Sequence, residues 1–229
     1  MNKNKKISVL FLVIISIIIT VCIAMFLLDT TGKINQGNFR INDMIINSYA
    51  KVNEQESDQE QIQLSDLVFN LSQNNKISIL VAKNLEAQRI YLDHFSYNLP
   101  EKMGQVILYQ TDSNTSYPLN DLPEEIELNK IEQDEQYFIE LNIDNVDFMT
   151  DVNAPENMQK ITFDGTFLKD LNIKSSELNM KFSCDLNIID VTGKHSKCTL
   201  KFNFPTDDLL NNGVSILRQD ISKFPFILK

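Results

Sequence analysis

Strict alternation of apolar and polar residues dominates the last third of the chain. Between 178 and 188 the even-numbered residues are apolar and the odd-numbered ones between them are polar, and the alternation returns between Cys198 and Phe204. Strand side chains point alternately to two faces, so this pattern predicts two strands with one buried and one solvated face. Residues 192–195 supply a turn between them, which predicts an antiparallel hairpin centred on Gly193.

The hairpin register bears on the two cysteines of this region, Cys184 and Cys198. A turn centred on Gly193 places Cys184 opposite Phe202 and leaves the two sulfur atoms about 13 Å apart along the strands. A disulfide bond requires Cα atoms within about 7 Å. Two buried free thiols are therefore expected, and the disulfide alternative needs a turn centred on Val191.

Shorter stretches of β-type sequence predict further strands. They are residues 67–71, 77–81, 88–97, 105–109, 137–143 and 160–163, with one short strand at 126–128 inside an otherwise long loop from 111 to 136. The polar residues 73–75, and residues 99–104 with Pro100 and Gly104, are predicted to form turns. Many short strands without alternating helices indicate a mainly β fold, an antiparallel β-sandwich-like domain or a barrel.

The C-terminal region predicts a short helix and a packed tail. Thr206 is expected to be the N-cap after Pro205, with acidic residues in the first turn, and apolar residues at helical spacing extend to about Asp220. The tail 224–228 is strongly apolar. It is expected to form an edge strand or to occupy a partner.

The N-terminal residues 7–28 contain no charge, proline or glycine. As a helix this segment is about 33 Å long, enough to cross a membrane. Three lysines precede it and Asp29 follows, which predicts a cytoplasmic N-terminus (1–6) and everything after the anchor outside. A cleaved signal peptide needs a shorter apolar stretch, and a lipoprotein signal at Cys22 needs a smaller residue than Val21 before it.

Residues 29–61 are predicted to form a juxtamembrane helix and a linker. Apolar residues recur at three- to five-residue steps between 38 and 56, a spacing typical of a helix face. The helix is expected to pack on its own domain or to pair with a partner. Residues 54–61 are polar and form the predicted linker, and 62–229 form the β-rich domain outside the membrane.

Composition narrows the classes of function. The formal net charge is −10, which argues against nucleic-acid binding because phosphate recognition needs clustered Lys and Arg. The abundance of Asn, Ile and Lys is typical of low-GC bacterial genomes. Only six glycines are present, and the chain contains no nucleophile-elbow or phosphate-loop motif.

Two histidines are present, His94 and His195. His94 falls within an apolar strand and is interpreted as a hydrogen-bonded structural residue, and His195 as a solvated turn residue. Because they come from distant segments and lack zinc-site spacing, a zinc site is not expected.

One acidic region is a candidate Ca²⁺ site. Asp144, Asp147 and Asp151 follow a predicted strand, and oxygen-rich side chains at a strand end can bind Ca²⁺ outside the cell. The spacing departs from the EF-hand pattern, so a solvated acidic turn is the favoured interpretation. No other metal ligand, cofactor-binding residue or catalytic residue is predicted.

These features together predict a non-catalytic, membrane-anchored binding or assembly protein facing a bacterial cell envelope. The expected partners are the membrane, through residues 7–28, and a protein or cell-wall polymer. An accessory subunit of a membrane complex is one alternative. A hydrolase using acidic residues is another, and it requires a cleft in which two carboxylates converge.

Overall fold

The computed structural model describes residues 37–53, 68–111, 113–145, 148–153 and 167–229. The described chain is mainly β, with antiparallel pairing throughout. The strands are β1 (Phe39–Asn53), β2 (Val68–Lys83), β3 (Ala87–Asn98), β4 (Val106–Gln110), β5 (Ser116–Pro118), β6 (Glu125–Glu127), β7 (Ile131–Gln133), β8 (Gln136–Asn145), β9 (Phe148–Asn153), β10 (Lys181–Asp190), β11 (His195–Asn203), β12 (Val214–Arg218) and β13 (Ile227–Leu228). The helices are α1 (Phe167–Asp170), α2 (Ser175–Leu178) and α3 (Thr206–Asn212), with 3₁₀ turns at Leu119–Asp121 and Ile221–Lys223.

The strands form two antiparallel sheets. The first sheet has the order β12-β1-β2-β8-β4-β5, with β7 also paired to β8 and β9 to β2. The second sheet has the order β13-β11-β10-β3-β6. Apolar side chains from both sheets belong to one buried cluster, which includes Ile77, Ile139, Phe182 and Phe202. This arrangement is consistent with the β-sandwich-like domain that the alternating pattern predicts.

The predicted hairpin is confirmed as β10 and β11, but its register differs by two positions. Cys184 lies opposite Leu200, not Phe202. The Asp190 carboxylate sets this register, because its Oδ1 accepts hydrogen bonds from the amides of Thr192 (2.8 Å) and Lys194 (3.1 Å). Both cysteines are buried and free, as expected. Burial raises the pKa of the Cys198 thiol to about 12.

The helix predicted over 38–56 is wrong, because residues 39–53 form strand β1. A register shift between Ile41 and Asp43 displaces the apolar positions by one residue. Ile41 and Met44 therefore both face the core, at 2 % and 0 % exposure. This three-residue step within an otherwise alternating strand imitates helical spacing.

The hairpin turn predicted at 73–75 is also wrong, because β2 runs without interruption through these residues. Gln73 and Asn75 are fully buried instead of solvated. Asn75 Nδ2 donates to the carbonyl of Ile143 (3.0 Å), and Ser48 Oγ donates to Asn75 Oδ1 (2.7 Å). These partners explain why a run of polar residues can remain inside a sheet.

The region predicted as a long loop, residues 111–136, contains three strands (β5, β6 and β7) and a 3₁₀ turn. The sequence predicted only one strand in this region, at 126–128.

The C-terminal helix is shorter than predicted and ends at Asn212. Gly213 adopts φ 69° and its amide donates to the Leu209 carbonyl (2.8 Å), which terminates the helix. Pro205, not Thr206, occupies the N-cap position.

The apolar tail packs partly as predicted. Ile227 and Leu228 form the edge strand β13 beside β11, and Phe224 and Phe226 are buried. The predicted anchor (7–28), linker (54–61) and strand at 160–163 lie outside the described residues. None of the helices in the described ranges is long and apolar enough to cross a membrane.

Candidate functional site

Two carboxylates meet on the outer face of the second sheet. Asp93 on β3 lies directly opposite Asp185 on β10, and Asp185 lies opposite Thr199 on β11. Asp93 is 8 % exposed and Asp185 is 5 % exposed. Like charges directly opposite each other in a sheet are destabilising, so these carboxylates require compensating partners.

His94 provides one of these partners from a bulge in β3. The register of β10 against β3 shifts between Ser183 and Asp185, and His94 adopts φ 51° beside this shift. Its Nδ1 lies 2.9 Å from Asp93 Oδ1 and 3.5 Å from Asp185 Oδ2. The side chain is 67 % exposed. His94 therefore lies close to two carboxylates, but at an exposed bulge rather than inside the apolar strand that the sequence predicted.

Asp185 has further partners on β11. Lys197 Nζ forms an ion pair with Asp185 Oδ2, and Thr199 Oγ1 donates to Asp185 Oδ1 (2.6 Å). Burial alone raises the pKa of Asp185, but the hydrogen bonds from Lys197 and Thr199, with the positive charge of Lys197, outweigh it and lower the pKa. The Asp185 carboxylate is therefore ionised at neutral pH.

The second histidine joins the same network. Asn187 Nδ2 donates to Asp93 Oδ1 (2.7 Å), and Asn187 Oδ1 lies 2.8 Å from His195 Nε2. His195 is half-buried beside Tyr91, so the prediction of a solvated turn residue is wrong. Burial, together with the charges of Lys229 and Lys197, lowers the pKa of His195. Both histidines of the chain are thus linked through one buried amide.

An open cleft of about 550 Å³ lies beside this network. Its lining includes Asp93, His94, Tyr97 and two acidic residues, Glu124 and Glu125. The cleft is therefore negatively charged on one side. The lowered pKa of Asp185 keeps its carboxylate negatively charged, which suits the binding of a cation.

A second candidate surface is the outer edge of strand β12 in the first sheet, which no strand of the described ranges covers. β12 pairs with β1 on one side and stands at the end of the strand order. The carbonyl of Gly213 accepts from the Ala50 amide (3.0 Å), and the Gln219 amide donates to the Met44 carbonyl (2.8 Å). Backbone groups alternate between the two sides of an antiparallel strand. The amides and carbonyls of Val214, Ile216 and Arg218 therefore point away from β1.

Apolar side chains flank this free edge. Val214 is 51 % exposed and Ile216 is 73 % exposed, and Tyr49 lies opposite Val214 at the same surface. Arg218 forms a two-contact ion pair with Asp43, at 2.7 Å for each contact, so its charge is balanced. Exposed apolar side chains beside unpaired backbone groups are the features of a strand-addition surface.

The strands at the other ends of the two strand orders are short or charged. β5 has three residues and ends in Pro118, and β13 has two residues. β6 also has three residues, and its Glu125 and Glu127 form ion pairs with Arg89. Charge, proline and short length each protect an edge from pairing. β12 has five residues and no proline, and its one charged residue is Arg218 at its end.

A buried amide cluster lies on the inner face of the first sheet. Asn75 Oδ1 accepts from Ser48 and Gln73, but Gln73 Oε1 and both polar atoms of the Asn145 side chain have no partner within the described part of the chain. Gln73 is 0 % and Asn145 is 1 % exposed. Orphaned buried polar groups cost stability.

The structure locates one of the three candidate Ca²⁺ ligands fully. Asp144 Oδ2 accepts from the Tyr109 hydroxyl (2.6 Å) and Oδ1 accepts from the Asn75 amide (3.2 Å). Burial and the hydrogen bond to Asp144 raise the pKa of Tyr109. Asp147 and the side chain of Asp151 lie outside the described residues. The Ca²⁺ site therefore stays a prediction.

Sequence reasoning missed the Asp93, His94 and Asp185 cluster because its members meet across strands. The pairing of β3 with β10 joins residues more than ninety positions apart, and no spacing along the chain records it. The edge strand β12 was hidden inside the predicted helix, where Gly213 was the one available signal. Comparison with known proteins finds no match among family models, curated proteins or solved structures.

Proposed function

We propose that this chain is a membrane-anchored, non-catalytic binding or assembly protein of a bacterial cell envelope, and that its β domain holds a partner polypeptide as an added strand at β12. The observation that carries this proposal is the free edge of β12, with outward backbone groups at Val214, Ile216 and Arg218. Strand addition supplies affinity through main-chain hydrogen bonds and specificity through alternate side chains.

The side chains around β12 support a protein partner. Val214 and Ile216 offer apolar surface to the alternate residues of an incoming strand. Arg218 is paired with Asp43, so no unbalanced charge repels a strand at that end. Natural proteins usually protect such an edge. An edge left apolar and open is accordingly best explained by a partner that covers it.

The N-terminal sequence supports the location. Residues 7–28 form an uncharged apolar segment long enough to span a bilayer, preceded by lysines and followed by Asp29. This arrangement supports a β domain that lies outside the cytoplasm. A protease added to intact cells should therefore remove an epitope tag at the C-terminus. Protection of the tag until the cells are lysed would contradict the orientation.

The partner test uses a photo-crosslinking amino acid at Ile216 in the full-length chain, expressed in its native membrane. A covalent adduct of defined mass is expected at this position. Val191 is the matched control, since it is also apolar and 60 % exposed but lies in the β10–β11 turn. The same adduct at both positions, or none at Ile216, would contradict the proposal.

The alternative is an accessory subunit that contacts its complex through the anchor. Replacing residues 7–28 with an unrelated apolar helix separates the two functions. The adduct at Ile216 should survive this replacement if β12 binds the partner. Loss of the adduct while the protein remains in the membrane would favour the subunit alternative.

A further inference from the structure

We propose that Asp93, His94 and Asp185 form a binding site for a divalent transition-metal ion, with Zn²⁺ the expected occupant. The nitrogen and carboxylate oxygens available for coordination lie within 4.8 Å of one another. They come from two neighbouring strands, so the sheet itself fixes their separation. This site lies on the second sheet and is independent of the strand-addition surface on β12.

Two residues of this cluster line the cleft. Asp93 Oδ1 accepts from Asn187 and lies beside His94. Asp93 is only 8 % exposed, and Asp93 and His94 both line the cleft of about 550 Å³. A nearly buried carboxylate at the wall of a cleft is arranged to accept a cation there.

The separations suit a small ion. Zinc bonds to histidine nitrogen and carboxylate oxygen are about 2.0–2.2 Å long, so tetrahedral ligand atoms stand about 3.4 Å apart. His94 Nδ1 lies 3.5 Å from Asp185 Oδ2 and 2.9 Å from Asp93 Oδ1. The shorter separation is a hydrogen-bond length. Metal binding therefore replaces the Nδ1 proton and moves these two atoms about half an ångström apart.

The donor set discriminates between metals. An imidazole nitrogen with two carboxylate oxygens suits first-row transition metals, whereas Ca²⁺ and Mg²⁺ prefer oxygen ligands alone. Three protein ligands beside an open cleft leave the fourth position of a zinc ion for water or a ligand group. Glu124 and Glu125, which also line the cleft, add negative charge that favours a cation.

Lys197 is the competing cation. Its Nζ pairs with Asp185 Oδ2, so a metal ion must share or displace this contact. Because of this competition, substitutions can be expected both to weaken and to strengthen zinc binding. Removing the imidazole should weaken zinc binding, and removing the Lys197 charge should strengthen it.

The experiment measures Zn²⁺ binding to the full-length chain in detergent, purified without a polyhistidine tag, by isothermal titration calorimetry. One Zn²⁺ per chain is expected. His94→Asn should raise the Kd about 100-fold. Asparagine tolerates the left-handed backbone at this position, so the variant is expected to fold. Lys197→Met should lower the Kd about tenfold.

Glu101→Gln is the control, because it removes an exposed carboxylate outside the network and leaves all three ligands. It should bind Zn²⁺ within a few-fold of the wild type, and Co²⁺ should give the same visible absorption in both proteins. Absence of zinc binding would overturn the proposal, as would equal affinity in His94→Asn or equal loss in Glu101→Gln. If His94→Asn fails to fold, a Lys197→Met variant without increased affinity overturns it alone.

Discussion

The two sheets differ in their edges and in their main groups of polar side chains. The second sheet ends in β13 and β6, which are short or charged, and its outer-face network from His195 to Asp185 is densely hydrogen-bonded. Its one buried side-chain atom without a partner in the described ranges is Ser196 Oγ. The first sheet ends in β12, and within the described part of the chain its inner amide cluster leaves Gln73 and Asn145 with unpartnered atoms. The first sheet thus holds unused hydrogen-bonding capacity in two places.

The difference teaches where each kind of function can reside. A sheet face whose polar side chains are hydrogen-bonded to one another can fix side chains in place, as a metal site requires. A sheet with unpaired edge groups can gain hydrogen bonds from another chain, as an assembly surface requires. The domain therefore combines a hydrogen-bonded face on the second sheet with an edge strand on the first sheet that can pair with another chain.

The largest expected effect is a difference in stability between proline variants at two neighbouring residues of β12. Leu217→Pro removes an amide that points toward β1, leaving an acceptor unpaired, and should lower the free energy of unfolding by about 2–3 kcal/mol. Ile216→Pro removes an outward amide and should change stability by less than about 1 kcal/mol. Urea unfolding followed by circular dichroism measures both, since the chain has no tryptophan.

Equal destabilisation by the two prolines would show that Ile216 faces a strand of this chain rather than a free edge. A second readout sharpens the comparison. Although Ile216→Pro should fold, it removes a donor that a partner strand needs, so partner crosslinking from position 214 should fall at least about tenfold.

In the second sheet, Asn187→Leu should lower the free energy of unfolding by about 2.5 kcal/mol. Asn187 is fully buried and bonds both Asp93 and His195, so its loss removes a hydrogen bond from a nearly buried carboxylate and another from an imidazole. Asn203→Leu is the matched control on the same sheet, where the side chain is exposed. It should change the urea midpoint little. Similar effects at both positions would show that the network contributes nothing specific.

Lys197→Met should lower stability by about 1.5 kcal/mol at pH 7, because it removes the counter-charge of Asp185. In the folded chain the pKa of Asp185 lies below its usual 3.8. The ionised carboxylate therefore stabilises the fold above about pH 4, and this stabilisation is lost as the pH falls through the lower folded value. The difference between wild type and variant should shrink over that range. A constant difference down to pH 2 would contradict the pairing.

The smallest expected effect is an increase in stability rather than a loss. Asn145→Leu keeps the number and branching of the side-chain heavy atoms and removes two buried polar atoms that have no partner in the described ranges, so it should raise the free energy of unfolding by about 1 kcal/mol. Asn75→Leu is the comparison, since Asn75 is fully hydrogen-bonded and its loss should destabilise. If Asn145→Leu destabilises as well, bound water satisfies Asn145 and the contrast between the two sheets is weaker.

The sequence predicted the elements whose alternation is uninterrupted. β10 and β11 keep strict period two, and the fold class followed from them. Strand β1 was not predicted, because the register shift between Ile41 and Asp43 gives its apolar residues helical spacing. In β2 the inward amides Gln73 and Asn75 resembled a turn, and only neighbouring strands reveal their partners.

The site depends on information that spacing along one chain lacks. Asp93 and Asp185 meet because β3 pairs with β10 in one particular register, and a shift of one residue would separate them. His94 was visible as a histidine but not as a bulge residue. The open edge of β12 depends on the order of strands in the sheet, which alternation alone does not determine.

Hydrogen exchange of the first sheet tests the central claim most directly. In the free full-length chain, the amides of Val214, Ile216 and Arg218 should exchange much faster than those of Ser215 and Leu217. In the complex recovered through the Ile216 crosslink, the three outward amides should become protected. Unchanged exchange at β12, with new protection at β6 or β13 instead, would contradict strand addition at this edge.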